Sequence, residues 1–184
     1  MRQNALSMLT DSFLDKQAGQ IPVDILCSVL SETCIPLAGD RIKELREGLT
    51  NDDIFDTTMV EVELCIGLIF KPLRHHMKVV ISNDSSVFLA LWVPILNATK
   101  EILDDESTES NPLSKSPLSK KMTHGTHELT VEHLRNVIMV LSSFGILKGE
   151  SGISATTWSL IEEMGFNKDF LDEWKNAAAN PPKK

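Results

Sequence analysis

Apolar residues recur at intervals of three and four along most of this chain and almost nowhere alternate at intervals of two. One stripe is Ala5, Leu6, Leu9 and Phe13; a second is Val23, Leu26, Cys27, Leu30 and Cys34. A third runs through Val62, Ile66, Ile69, Leu73 and Met77, and a fourth through Phe88, Leu91, Trp92, Ile95 and Ile102. A fifth is Leu134, Val137, Ile138, Leu141 and Phe144. That period places each stripe on one side of an α-helix, and such a side must be buried against another helix. Val79-Val80-Ile81 is too brief to read as a strand. The expected fold is therefore all-α: stacked antiparallel helices of a degenerate HEAT- or armadillo-like kind, because the helix lengths vary too much for a regular repeat.

The core should be aliphatic, since the chain has no Tyr and only 5% aromatic residues. Its expected members include Ile66, Ile69, Leu91, Trp92, Leu134, Leu141 and Trp158. With 184 residues, 42% of them hydrophobic and 24% charged, the chain can build one ordinary globular core.

Punctuation divides the pattern. Gly19 closes a first helix over Arg2 to Leu14, and Pro22 opens a second that Pro36 and Gly39 end. A short piece follows around Ile42 to Leu49. Asp56-Thr57-Thr58, with Glu61 three residues after Thr58, has the form of a capping box for the third helix. Pro72 and Pro94 predict bends in the third and fourth helices, the fourth starting at Asn83-Asp84-Ser85. From Asp104 to Glu128 the periodicity is lost in an acidic run and the near-duplicates Pro112-Leu113-Ser114-Lys115 and Pro117-Leu118-Ser119-Lys120. The organisation read from this is a helical array over 1–103, a disordered linker over 104–128, closing helices of the same array over 129–176, and a flexible tail over 177–184. The fifth helix starts at Thr130, a sixth covers Ser154 to Met164 with Gly165 as its stop, and a seventh covers Lys168 to Asn176. The chain opens inside a helical pattern with no capping residue, as a piece of a longer protein would.

Charge and motif narrow the function. A net charge of −8 disfavours nucleic-acid binding. The apolar run Leu64 to Phe70 is too short to cross a bilayer, which needs ~20 residues. Cys27, Cys34 and Cys65 each lie in an apolar stripe with no C-x-x-C spacing and read as reduced core thiols. His124, His127 and His133 have partly ligand-like spacing but straddle a loop and a helix start, so no metal site is expected. Arg74, His75 and Lys78 form a basic polar face that could meet an acidic partner or an anionic lipid. The adjacent carboxylates Asp104-Asp105 and Glu162-Glu163 diverge on a helix and read as solvated charge. Phosphate-binding loops and nucleophile motifs are missing, so no catalytic residue, cofactor or small-molecule substrate is expected. Ser116-Pro117, flanked by Lys115, Lys120 and Lys121, is a candidate phosphorylation site at Ser116.

The order of blocks adds a resemblance. Phe70-Lys71-Pro72-Leu73 is followed by Phe88-Leu89-Ala90-Leu91-Trp92-Val93-Pro94-Ile95-Leu96. Then come Glu132-His133-Leu134-Arg135-Asn136-Val137-Ile138-Met139-Val140-Leu141 and a helix carrying Thr157-Trp158. This order resembles the extreme C-terminal homology region of the large Golgi-type guanine nucleotide exchange factors for Arf GTPases, the Golgi brefeldin A-resistance factor and GNOM group, over about Arg2 to Trp174. Its sharpest element is Ala90-Leu91-Trp92. The resemblance implies a non-catalytic regulatory and interaction module, because the family's exchange chemistry belongs to a Sec-seven-type domain that no segment here matches. It implies protein partners: other domains of the exchange factor, and Arf-pathway or trafficking proteins. It also implies a cytoplasmic place peripheral to Golgi or endosomal membranes. A free-standing armadillo-type adaptor that binds a peptide or partner helix is the alternative.

Overall fold

The computed structural model describes residues 2–14, 22–48, 54–82, 85–104, 117–149 and 152–179. Its helices are α1 (Arg2–Leu14), α2 (Val23–Val29), α3 (Ile35–Gly48), α4 (Phe55–Ser82), α5 (Ser85–Leu103), α6 (Pro117–Ser143), α7 (Ile153–Glu162) and α8 (Lys168–Ala179). The fold is all-α, and no strand occurs among the described residues.

The helices stack like on like in two series. One series runs α1 on α4 and α4 on α6. The other runs α3 on α5 and α5 on α7, and α8 closes on α6. Direction follows from matched contacts. Lys121 sits over the Phe55 ring, Gly125 faces Met59 and His133 stacks on Phe70, so α4 and α6 run parallel. Trp92 meets Thr157 and Lys100 meets Glu163, pairs 65 and 63 residues apart, so α5 and α7 run parallel as well. Successive helix pairs laid side by side with direction preserved, as α4/α5 and α6/α7 are, have the geometry of a repeat stack, in which each unit buries the apolar face that its neighbour leaves open.

The α5 helix is the centre. Phe88, Leu91, Trp92, Ile95 and Leu96 are all but inaccessible, and α2, α3, α4, α6 and α7 surround them. By length and mean hydropathy α5 could cross a membrane, but its large apolar side chains are already packed against these helices. Of the core residues read from the sequence, Ile66, Ile69, Leu91, Trp92, Leu134 and Leu141 are buried. Trp158 is only half-buried, because the neighbouring Thr157 turns inward and leaves the indole at a surface cleft under Lys175. Phe144 is 43% exposed rather than core. Gly145, at φ +74°, ends α6 there: its N–H donates to the Ser142 carbonyl and that of Ile146 to the Leu141 carbonyl, the paired bonds of a glycine C-terminal motif.

Several boundaries differ from the sequence reading. Pro36 and Gly39 do not end a helix. A π-turn over Leu30–Cys34 joins α2 to α3, and the Ile35 N–H reaches back to the Leu30 carbonyl. The wider turn absorbs the donor that Pro36 lacks, so the path continues to Gly48. Thr58 is not a cap: its hydroxyl donates to the Ile54 carbonyl inside the helix, 2.8 Å away, and Glu61 turns to Arg41 instead. Both α4 and α5 run through their prolines as single helices.

The largest correction is at α6. Residues 117–128, expected in a disordered linker, are helical. Here the buried stripe is Met122, Thr126 and Thr130 instead of aliphatic residues. The two threonine hydroxyls donate to the carbonyls four residues back, at 2.8 and 2.7 Å, which lets polar side chains sit in a core. Gly125 lets α6 approach closely: a Cβ there would lie 3.0 Å from the Met59 methyl. Ser116, most of the acidic run and the last residues of the tail lie outside the described residues.

Candidate interaction surface

Two of the blocks that carry the resemblance meet inside the molecule. Trp92 Nε1 donates to Thr157 Oγ1 at 2.8 Å, with both residues fully buried. The bond ties α5 to α7. It belongs to the stack's framework and leaves no surface for a ligand.

Other framework contacts consume most of the remaining functional groups. Arg46, 8% exposed, donates from Nη1 to the Ile102 carbonyl at 2.9 Å and so satisfies the C-terminal end of α5. Arg41 reaches Glu61 at 2.7 Å and Glu44 at 2.8 Å, and these hydrogen bonds raise its pKa above the usual guanidinium value. His76 Nε2 donates to the Phe13 carbonyl at 2.6 Å and holds the end of α1 on α4. The carboxylates Glu162 and Glu163 do not form a pair: Glu163 binds Lys100 at 2.8 Å and Glu162 binds Lys175.

The thiols are inert. Cys27, Cys34 and Cys65 are free and buried, and burial raises all three pKa values, with Cys65 pushed up to about 12. The histidines separate as well. His124 is exposed beside Glu128, whereas His133 lies half-buried with its ring 5.7 Å from that of Phe70. Among the described residues no three His, Cys, Asp or Glu side chains are placed to share a metal ion.

Two surfaces remain. One is a cleft of about 720 Å³ between the turn at 144–149, α7 and α8, walled by Leu147, Trp158 and Ala179. Two of its polar side chains are already engaged: Glu162 has Lys175, and the Ser154 hydroxyl lies 3.1 and 2.8 Å from the Leu147 and Gly149 carbonyls.

The other is the outer face of α4. Lys71, Arg74, His75 and Lys78 are exposed there at spacings of three and four, so they form one row along the helix. The sequence reading found the last three of these. Lys71 was missed as a member, although its position three residues before Arg74 was the available signal. None of the ion pairs found among the described residues involves Lys71, Arg74 or Lys78, while Arg41, Lys100, Arg135 and Lys175 each have a carboxylate partner. Their field reaches α6. The pKa of His133 is lowered, first by burial and then by the charge of Lys71; Glu132 opposes the shift, Arg74 adds to it and Glu63 opposes it least.

The GBF1-like tetratrico peptide repeat region matches residues 1–165. The chain belongs to this family. The match agrees with the resemblance carried by the order of sequence blocks. Its repeat type is the tetratrico peptide one, which shares the stacked helical hairpin with HEAT and armadillo arrays. No curated protein and no solved structure matches the chain.

Proposed function

We propose that this chain is a non-catalytic regulatory and interaction module of a large Arf guanine nucleotide exchange factor in Golgi vesicle traffic. It works in the cytoplasm, peripheral to Golgi or endosomal membranes, by holding other domains of the factor or trafficking proteins on its surface. Membership of the GBF1-like repeat family carries the reading. The structure adds two supporting observations. The buried polar and nucleophilic groups serve the helix stack, and a row of cations on the outside lacks carboxylate partners.

Two assays test the proposal. The purified chain, added to an Arf GTPase loaded with a fluorescent nucleotide, should leave the release rate unchanged. Removing this region from the full exchange factor should reduce its Golgi recruitment while the exchange rate of its catalytic domain in solution persists. Release accelerated by the chain alone would overturn the non-catalytic assignment. Unaltered recruitment and Arf activation in cells lacking the region would overturn the regulatory one.

A further inference from the structure

The outer face of α4 changes character along its length. Val60, 48% exposed, and the half-buried Leu64 lie one turn apart on it, and Lys71, Arg74, His75 and Lys78 continue the same row. Gly67 separates the two parts. Lys71 folds back across it, and a Cβ on Gly67 would lie 3.2 Å from Lys71 Cε and Nζ. The row from Lys71 to Lys78 is about 10 Å long by helix geometry.

Carboxylates outnumber cations in this chain, 26 to 18, yet the exposed cations of this row carry no ion pair among those found in the described residues. We infer that this face of α4 docks an acidic, amphipathic segment of a protein partner, with carboxylates over Lys71, Arg74 and Lys78 and an apolar side chain over Val60 and Leu64. The inference rests on the interaction-module reading and gives that module a surface.

Three features favour a protein segment over other anions. A free phosphate or a lipid headgroup has nothing to place over Val60. A flat anionic membrane would also have to approach a molecule of net charge −8, with Glu63 and Glu132 exposed near the row. A narrow helix or strand can follow the row and pass between those carboxylates. Attraction of this kind is screened by salt, because Lys71, Arg74 and Lys78 are exposed.

The test uses the full chain and a fluorescein-labelled synthetic peptide with glutamates at helical spacing in one half and leucines in the other. Fluorescence anisotropy should show binding that weakens as salt rises. Lys71→Gln/Arg74→Gln/Lys78→Gln should weaken it about tenfold or more, since three exposed ion pairs are lost. Lys43→Gln/Lys120→Gln/Lys168→Gln changes the net charge equally at exposed sites elsewhere and should weaken it less than about twofold. Val60→Ser should weaken binding without changing its salt dependence. Circular dichroism confirms that each variant keeps its helices. Equal loss in both triple variants, or no binding at all, overturns the inference. Retention on phosphatidylserine vesicles without peptide binding overturns it in favour of a membrane. Each of these failures leaves the recruitment assay for the module itself unaffected, so the two readings fall separately.

Discussion

Replacing Trp92 tests the stack at its centre. The side chain is fully buried, lies 6.1 Å from the Phe88 ring and donates its indole N–H to Thr157. Trp92→Ala removes the largest fully buried side chain and opens a void between the α5 and α7 helices. Losses of this kind cost about 3–5 kcal/mol. Trp92→Phe keeps most of the packing and removes the donor; leaving the buried Thr157 hydroxyl without it should cost roughly 1–3 kcal/mol. Thr157→Val removes the acceptor, and the double variant Trp92→Phe/Thr157→Val removes both sides. If the hydrogen bond has the worth of a typical buried one, the two single costs should exceed the double cost by about 0.5–1.5 kcal/mol. Urea unfolding with fluorescence and circular dichroism measures these differences, and an unchanged slope would show that the unfolded states are comparable. For a chain of this length the alanine variant should melt roughly 6–20 °C lower. A loss below about 1 kcal/mol for Trp92→Ala would refute the claim that α5 and α7 are joined through this residue.

Other outcomes follow from the same packing. Arg46→Met deletes the donor to the Ile102 carbonyl at the end of α5 and should cost about 1–3 kcal/mol in urea unfolding. By NMR, His133 should titrate below its ordinary value of 6.5, and Lys71→Gln/Arg74→Gln should move it upward. The unfolded chain takes up this proton near 6.5 while the folded one resists, so His133 favours folding above that pH and the gain is lost as pH falls through the folded value. Cys65, pushed up to about 12, should resist alkylation at pH 8 until the chain unfolds. Here the unfolded thiol ionises near its ordinary value of 9.0 and the folded one does not, so stability declines as pH rises from there toward 12.

Helices whose stripes are Leu, Ile, Val, Phe and Trp were legible from spacing alone, as α4 and α5 show. The first half of α6 was not. Its buried positions hold Met122, Thr126 and Thr130, and a hydropathy pattern scores a threonine as polar whether its hydroxyl faces water or a carbonyl of its own helix. The run from Leu30 to Gly48 was misread for a related reason. Pro36 is a stop signal for an α-helix, but a π-turn just before it removes the conflict, and nothing in the spacing of Cys27, Leu30 and Cys34 announces the wider turn. Trp92 was legible as core, and Thr157 as part of a block. That the two are bonded is a three-dimensional fact, set by a register between hairpins that one sequence does not display.

The α4 row illustrates the opposite limit. Arg74, His75 and Lys78 were visible as a basic face, and so are many surface lysines and arginines that do nothing beyond keeping a protein soluble. Arg41, Lys100, Arg135 and Lys175 each have a carboxylate partner and this row has none among the ion pairs of the described residues. Single exposed lysines such as Lys43 and Lys168 share that lack, and what is particular to the row is its clustering at helical spacing on one face. In a repeat stack the inner helix faces are committed to their neighbours, and recognition is left to the outer ones. The α4 helix lies between α1 and α6, and both neighbours hold it in place. A partner docking there meets cations whose backbone is already ordered, so binding need not spend its free energy on folding the site.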